Sequence, residues 1–229
     1  MIFFLSKKDP LQKSKWEKLH KNNYQPSITK IIERINEHRQ KNIWLFDEWS
    51  DLLGIKLDVN EKTILEIGCG GGWYLAQMLY RGAKNVIGFE ISKSIIDKAI
   101  QAFDNLNFSN YEFHEVDEEF LNKLEPKSVD IIFENTVFQH ISEEATKNYL
   151  ITSKKVLKDN GLFLCQFLMN EINPIKDPYA KNKEGTVYYS HKEIENLVND
   201  CGLHIEKYSN YNWKDENNSY WRLYIFNKK

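Results

Sequence analysis

Four glycines stand together in TILEIGCGGGWYLAQM, the stretch that runs from Thr63 to Met78. A hydrophobic run precedes the glycines and an amphipathic run follows them, which predicts a strand, a tight turn and a helix. In a doubly wound sheet such a turn brings the backbone close to a nucleotide at the carboxyl end of the strand. The stretch therefore predicts a nucleotide site.

The spacing of the glycines indicates which nucleotide binds. A dinucleotide fingerprint needs a third glycine five positions after the first, but Trp73 occupies that position after Gly68. Glu66 adds negative charge where a pyrophosphate would be repelled. Glu90 follows the next predicted strand, 22 residues after Gly68, where a carboxylate accepts hydrogen bonds from ribose hydroxyls. The pattern favours a positively charged nucleoside, and S-adenosyl-L-methionine is such a molecule.

Further motifs follow the glycine stretch in a consistent order. The set is LEIGCGGG, VIGFEIS, FHEVDEE, VDIIFENTVFQHI and VLKDNGLFLCQF. Together they resemble the motifs of class I S-adenosylmethionine-dependent methyltransferases, over roughly residues 60–229. The resemblance implies an α/β, Rossmann-like fold with a seven-stranded sheet in the order 3-2-1-4-5-7-6, in which strand 7 is antiparallel. It also implies S-adenosyl-L-methionine as the cofactor.

The resemblance assigns a cofactor role to residues in four of these motifs. Glu90 would hold the ribose hydroxyls, Glu66 would orient the cofactor's amino group, and Asp117 would face the adenine edge. The predicted cofactor-binding residues are Glu66, Gly68, Cys69, Gly70, Gly72, Glu90, Ile91, Val116, Asp117, Glu134 and Asn135.

Some of these acidic and amide residues have other interpretations. Glu66 could be a buried acid that supports the glycine turn, and Asp117 could cap the helix that follows it. Glu134 and Asn135 could be ordinary turn residues at the end of strand 4.

His140 is the candidate catalytic residue, because it follows strand 4 and imidazole changes its protonation near neutral pH. Methyl transfer from a sulfonium depends mainly on alignment of the acceptor with the methyl group. A base is needed when the acceptor is a neutral hydroxyl. The alternative is that His140 only positions the loop through backbone hydrogen bonds.

Amphipathic segments must hold these residues in place. Residues 1–60 are predicted to form an N-terminal helical cap, and residues 61–229 the Rossmann-like methyltransferase domain. Short apolar runs alternate there with helical segments, which indicates a parallel sheet covered on both faces. Near the end, Ser190 and Glu193 form a predicted capping box. Two strand-like runs then follow with no helix between them, which predicts an antiparallel hairpin.

Composition argues against several functional classes. With 31 basic and 33 acidic residues among 229, the net charge is −2, which does not favour a nucleic-acid partner. Three widely spaced cysteines suit a cytoplasmic protein without disulfides, and their spacing does not predict a metal site. No apolar run approaches the ~20 residues that span a bilayer, so no membrane partner is expected. The oligomeric state is left open.

The expected function is methylation of a small molecule, most simply O-methylation of a sugar, a sugar nucleotide or another metabolite. The sequence ENTV stands where enzymes that methylate nucleobase amines carry an Asn/Asp-Pro-Pro-aromatic motif. The irregular residues 170–189 are predicted to form a lid. Two alternatives stay open: a non-catalytic S-adenosylmethionine sensor or partner subunit, and an aminopropyl-type transferase on the same fold.

Overall fold

The structure is a computed structural model that describes residues 26–116, 124–175, 186–215 and 218–229. Within these ranges, the residues up to 116 form one compact unit and the residues from 124 form another. Of the sequence predictions, those for residues 1–25 of the helical cap, for Asp117 and for residues 176–185 of the lid lie outside the described residues.

The first unit contains two N-terminal helices, followed by strands that alternate with helices. Its elements are α1 (Ile28–Gln40), α2 (Leu45–Leu53), β1 (Thr63–Ile67), α3 (Trp73–Tyr80), β2 (Asn85–Glu90), α4 (Lys93–Asn105) and β3 (Tyr111–Glu115). Helix α1 starts after Ser27, whose side chain accepts from the Lys30 N–H, and it buries Ile31 and Ile35 one turn apart. Helix α2 ends at Gly54, which adopts the left-handed conformation.

The second unit starts with a strand and ends in a hairpin. Its elements are β4 (Val129–Glu134), a short 3₁₀ turn (Phe138–His140), α5 (Glu143–Val156), β5 (Leu157–Met169), α6 (His191–Asp200), β6 (Leu203–Lys214) and β7 (Tyr220–Lys228). Ser142 caps α5 by accepting from the Ala145 N–H, and two acids follow it in the first turn.

The sheet has seven strands in the order β3-β2-β1-β4-β5-β7-β6. In the first unit, β2 pairs in parallel with β1 and with β3. In the second unit, β4 and β5 pair in parallel, whereas β7 pairs antiparallel with both β5 and β6. The predicted strand order and the predicted antiparallel seventh strand are therefore confirmed. The division into residues 1–60 and 61–229 stays a prediction.

The parallel strands are nearly continuous hydrophobic runs because both faces are covered. Strand β1 buries four of its five residues, and β4 buries five of six. Aromatic side chains fill much of each unit. Trp49, Phe46, Phe89 and Phe103 are fully buried in the first, and Phe133, Phe163, Phe167 and Phe226 in the second.

The predicted capping box at the start of α6 is present. The Ser190 side chain accepts from the Glu193 N–H, and the Glu193 carboxylate accepts from the Ser190 N–H at 2.9 Å. Both bonds satisfy N–H groups that a helix start leaves without partners inside the helix. The cap therefore fixes where α6 begins.

Replacing the cap serine is expected to destabilise the protein. Ser190→Ala removes the acceptor of the Glu193 N–H and should cost about 1 kcal/mol, or roughly 2–4 °C in melting temperature for a chain of this size. Thermal unfolding followed by circular dichroism measures this. Ser109→Ala, at an exposed serine outside the helices, is the control and should shift the melting temperature by less than about 1 °C. Equal melting temperatures for the two variants would show that the cap contributes nothing.

Candidate active site

The glycine stretch forms a tight loop between β1 and α3. Gly68, Gly70 and Gly72 have φ values of +73°, +51° and +76°, in the left-handed region that side chains disfavour. The N–H groups of Gly68 and Cys69 both donate to the carbonyl oxygen of Phe89, at 2.7 and 3.0 Å. The loop is thus bonded to the end of β2 as well as continuing from β1.

Gly72 shows why side chains are excluded here. A Cβ atom on Gly72 would lie 2.7 Å from the Phe113 ring and 2.9 Å from the Phe103 ring. Gly72 is also the residue from which α3 starts. Because nothing projects from Gly72, the chain turns from strand to helix directly against the aromatic core.

Glu90 joins the glycine loop to the end of β2. One carboxylate oxygen accepts from the Gly70 N–H at 3.1 Å. The other accepts from the N–H groups of Ile91 and Ser92, at 2.8 and 3.0 Å. The residue is only 7% exposed, so these bonds hold its carboxylate in one orientation beside the loop.

Two further predicted residues, Glu66 and Cys69, are buried within the same unit. Glu66 is the fourth residue of β1, is 2% exposed and lies opposite Gly88 of β2. Cys69 is also 2% exposed. Burial raises the pKa of the Cys69 thiol well above its usual range, and the charges of Glu66 and Glu90 act in the same direction. Cys69 is therefore a neutral thiol and not a nucleophile.

The end of β3 lies against the end of β2. The Val116 N–H donates to the carbonyl oxygen of Glu90 at 2.8 Å, and Val116 is 5% exposed. The structure thus brings together the glycine loop, Glu90, Ile91 and Val116. Asp117, the predicted adenine contact, lies outside the described residues.

Helix α1 contributes Arg34, a residue that sequence reasoning missed. Trp73 covers the glycine loop. A Cβ atom added to Gly70 would lie 3.6 Å from the Trp73 ring, and one added to Gly71 would lie 2.9 Å from it. The Arg34 guanidinium lies 4.2 Å from the centre of the Trp73 ring, which is cation–π geometry. No local pattern signals this contact, because only the fold brings α1 to the glycine loop.

In the second unit, Glu134 organises the loop that follows β4. It is fully buried. One carboxylate oxygen accepts from the N–H groups of Val137 and Phe138, and the other accepts from the Gln166 N–H at 3.2 Å. Burial raises the pKa of Glu134 to about 7, although the three N–H groups act in the opposite direction. This arrangement favours a turn-stabilising role for Glu134 over a cofactor contact.

The loop after β4 carries the other predicted residues. Asn135 is half-buried, and Thr136 next to it has a φ of +68°, which is unusual for a β-branched residue. His140 ends the 3₁₀ turn, donates its N–H to the Val137 carbonyl oxygen at 2.8 Å, and has its Nε2 3.1 Å from the Gln139 side-chain nitrogen. The loop is therefore folded tightly around Glu134, with His140 half-buried.

The cysteine beside Glu134 is inert. Cys165 lies opposite Glu134 in the β4–β5 pairing and is fully buried. Burial raises the pKa of the Cys165 thiol well above its usual range, and the Glu134 charge adds to this. A cysteine adduct is therefore disfavoured.

Comparison with known proteins places the chain in a family. The family described as "Methyltransferase domain" matches residues 58–219. The chain belongs to this methyltransferase family. Its fold and motifs are those of class I S-adenosylmethionine-dependent methyltransferases, so that prediction is confirmed, as is S-adenosyl-L-methionine as the cofactor.

Solved structures of low sequence identity share the fold of this chain. One is magnesium protoporphyrin IX methyltransferase from Synechocystis PCC 6803, with a TM-score of 0.59 and 15% identity; the match covers 97% of this chain and 96% of that one.

Curated relatives differ in the acceptor that their names state. The chain is 28% identical over 126 residues to EEF1A lysine methyltransferase 2 from Danio rerio, covering 51% of this chain and 53% of the relative. It is 35% identical over 123 residues to tRNA (guanine-N(7)-)-methyltransferase from Thermotoga maritima, covering 50% and 38%. The chain thus spans only about half, or less, of the length of these relatives.

The described residues give no sign of a membrane span or a metal centre. In residues 26–116, 124–175, 186–215 and 218–229, no helix has both the length and the apolar character to cross a bilayer. No group of three or more His, Cys, Asp or Glu side chains in those ranges is placed to hold a metal ion.

Glu90→Ala is expected to weaken binding of S-adenosyl-L-methionine by at least ~10-fold, because a hydrogen bond to a charged group contributes ~1.5–3 kcal/mol. It should also lower the free energy of unfolding, since three backbone N–H groups lose their acceptor. Calorimetry measures the first effect and urea unfolding the second. Glu112→Ala, at an exposed glutamate on β3, is the control. An unchanged dissociation constant in Glu90→Ala would refute the ribose assignment.

Glu134→Gln is expected to change how stability depends on pH. Because the folded-state pKa of about 7 lies above the usual value of 4.5, the folded protein binds more protons between these values than the unfolded chain. The stability from Glu134 is therefore fully present below about pH 4.5 and is lost as the pH rises to about 7, by on the order of 3 kcal/mol.

Urea unfolding of the wild type and Glu134→Gln at several pH values tests this. The variant should gain stability relative to the wild type as the pH rises through that window. A difference between the two proteins that does not vary with pH would mean that Glu134 keeps an ordinary pKa.

Proposed function

We propose that this protein transfers a methyl group from S-adenosyl-L-methionine to a small molecule, and that the acceptor is a hydroxyl of a sugar, a sugar nucleotide or a related metabolite. The observation that carries the methyltransferase assignment is the glycine loop held to the Glu90 carboxylate by the Gly70 N–H. Family membership supports the same cofactor.

The cofactor roles of the remaining residues are part of the proposal. The loop of Gly68, Gly70 and Gly72 has a left-handed backbone without side chains, which suits close approach of a ligand. Buried Glu66 suits a cationic ligand because it adds negative charge next to the loop. Asp117 keeps its proposed adenine role by resemblance alone.

A small-molecule acceptor is supported by charge and by sequence. The names of relatives state a protein and a tRNA as acceptors. Binding to tRNA draws strongly on Lys and Arg contacts to phosphates, whereas this chain has more acidic than basic residues, 33 against 31. The loop after β4 also reads Glu-Asn-Thr-Val, without the proline pair that holds nucleobase amines.

Bound S-adenosyl-L-methionine would supply an activated methyl group on its sulfonium. The chain must then orient the acceptor, exclude water and, for a neutral hydroxyl, accept its proton. We assign proton acceptance to His140, which the Glu134-centred loop holds after the end of β4. The alternative is that His140 only positions the loop. The 3.1 Å contact between its Nε2 and the Gln139 side chain suits that role, and the variant below tests it.

No specific observation favours the two alternative functions, an aminopropyl-type transferase and a non-catalytic S-adenosylmethionine sensor or partner subunit. An aminopropyl transferase would need several acids beyond β4 to hold a polyamine. In the described part of the chain, the acid at the end of β4 is Glu134, whose carboxylate binds three backbone N–H groups. A non-catalytic sensor is distinguished from an enzyme by turnover.

Four further proposals accompany the function. We propose that residues 1–60 form a helical cap, that the catalytic domain begins at residue 61, and that residues 170–189 form a lid over bound ligand. We also propose a cytoplasmic location, supported by the three cysteines Cys69, Cys165 and Cys201, which are all buried free thiols.

The direct test uses isotope-labelled S-adenosyl-L-methionine, the full chain and fractionated metabolites, with labelled products identified by mass spectrometry. The proposal expects label in a low-molecular-weight product, and less of it with Glu90→Ala at the same sub-saturating concentration of S-adenosyl-L-methionine. Label in tRNA or protein fractions only, or no label anywhere, would contradict it.

His140→Ala is expected to lower turnover by ~10²-fold or more with little change in cofactor affinity, because the hydroxyl would lose its base. The control is His204→Ala, which removes an imidazole on β6 that lies 3.6 Å from the Glu206 carboxylate. Steady-state kinetics and calorimetry measure the two effects. Near-normal turnover in a folded His140→Ala protein that still binds S-adenosyl-L-methionine would leave His140 with a positioning role.

A further inference from the structure

The second unit contains a hollow that none of the proposed cofactor-binding or catalytic residues lines. Its volume is about 510 Å³, within the ~300–1,000 Å³ range of small-molecule sites. The described residues that line it all carry a polar group: Glu171, Asn210, Tyr211, Asn212, Lys214 and Tyr220. Among the described residues, no aliphatic side chain contributes to this lining.

The hollow lies at the end of the sheet where ligands are expected. Tyr220, the first residue of β7, pairs with Met169, the last residue of β5, and with Lys214, the last residue of β6. The hollow therefore opens beside the carboxyl end of β5. In open α/β sheets, ligands bind outside the carboxyl ends of the parallel strands.

A buried arginine holds three of the six lining residues. Arg222 is 8% exposed. Its Nε donates to the Asn210 side chain at 2.6 Å and one Nη donates to the Tyr220 hydroxyl at 2.8 Å. The other Nη lies 3.7 Å from a Glu171 carboxylate oxygen. The planar guanidinium thus fixes an amide, a phenol and a carboxylate in one geometry.

Burial of this guanidinium carries a desolvation cost. Three aromatic rings offset part of it, because the Arg222 Cζ lies 4.8, 5.3 and 5.9 Å from the ring centres of Tyr208, Tyr220 and Tyr224. Such a buried polar support is typical of binding sites, where it holds the contacting groups in place before the ligand arrives.

Glu171 and Tyr220 also bond groups other than the Arg222 guanidinium. Glu171 accepts from the Tyr220 hydroxyl at 2.9 Å and from the His191 N–H at 3.0 Å. Burial, together with the hydrogen bond to Glu171, raises the pKa of Tyr220 to about 12. Tyr220 is therefore a neutral phenol at physiological pH.

The hollow is connected to the loop that carries His140. The Gln166 side chain donates to the Tyr211 hydroxyl, and the Gln166 N–H donates to Glu134 at 3.2 Å. Glu134 in turn accepts from the Phe138 N–H at 3.1 Å, two residues before His140. Within this unit, three hydrogen bonds thus lead from the wall of the hollow to the proposed catalytic loop.

We propose that this hollow is the acceptor subsite and that it binds a hydroxylated, sugar-like ring, an inference that rests on the proposed function. Side-chain amides, a carboxylate and an ammonium group offer both donors and acceptors to ring hydroxyls. The two phenol rings offer flat apolar surface to the C–H groups of a sugar face. An apolar acceptor would displace water from the exposed Asn212 and Lys214 side chains without replacing its hydrogen bonds, which costs binding free energy.

The test measures binding separately from turnover. Saturation-transfer NMR is recorded on the full-length protein with S-adenosylhomocysteine, using methyl α-glucopyranoside and methyl α-rhamnopyranoside as probes and p-cresol as the apolar ring. The glycosides should bind the wild type and p-cresol should not. Asn212→Ala and Lys214→Ala should each weaken glycoside binding by roughly 5- to 10-fold, the effect of a lost hydrogen bond.

Lys207→Ala is the matched control, since Lys207 is exposed on the same strand β6 but does not line the hollow. Its glycoside affinity should equal that of the wild type. Failure of both glycosides to bind the wild type, or equal affinity in Lys207→Ala and Lys214→Ala, would overturn the subsite.

Metabolite methylation is assayed on the same proteins, so that the two proposals fail in different ways. If the glycosides bind in a way that depends on Asn212 and Lys214 but no small molecule is methylated, the proposed function is wrong and the sugar-binding subsite stands. A methylated small molecule whose Michaelis constant is unchanged in Asn212→Ala would support the function and overturn the subsite.

Discussion

A buried carboxylate that binds backbone N–H groups joins the glycine loop of this protein to the end of β2. Glu90 accepts from the N–H groups of Gly70, Ile91 and Ser92, so one side chain sets both the glycine loop and the turn after β2. Ionised carboxylates form strong hydrogen bonds with backbone amides. The glycines permit the loop geometry, and Glu90 selects one conformation of it.

A carboxylate bonded to backbone N–H groups also occurs at the end of β4, but there burial raises its pKa. Glu134 also binds three N–H groups, but it is completely buried, and burial outweighs those hydrogen bonds and raises its pKa to about 7. Its protonation state is therefore linked to the stability of the fold near neutral pH. The loop that ends at His140 is built on this carboxylate, which gives Glu134 a structural part in positioning the proposed base.

Arg222 is a buried cation that, like these two carboxylates, holds neighbouring groups by hydrogen bonds. It is surrounded by tyrosines and holds the walls of the proposed acceptor hollow, including Asn210 and Tyr220. In each of the three cases an ionisable group with little exposure fixes its neighbours. Charged groups are costly to bury unless such bonds compensate them, so these positions constrain the sequence more than ordinary surface residues.

Local patterns in the sequence were enough to establish the fold class and the cofactor, because glycine spacing, strand periodicity and the capping box at Ser190 act over a few neighbouring residues. The strand order came from the resemblance that these motifs carry, and the same motifs located Glu90. The folded structure was needed to show that Glu134 faces backbone amides and that Arg222 supports a hollow. The alternation of Tyr220, Arg222 and Tyr224 along β7 places them on one face. One of their partners, Glu171, lies far from β7 in the chain, and no local pattern encodes which groups a buried charge will meet.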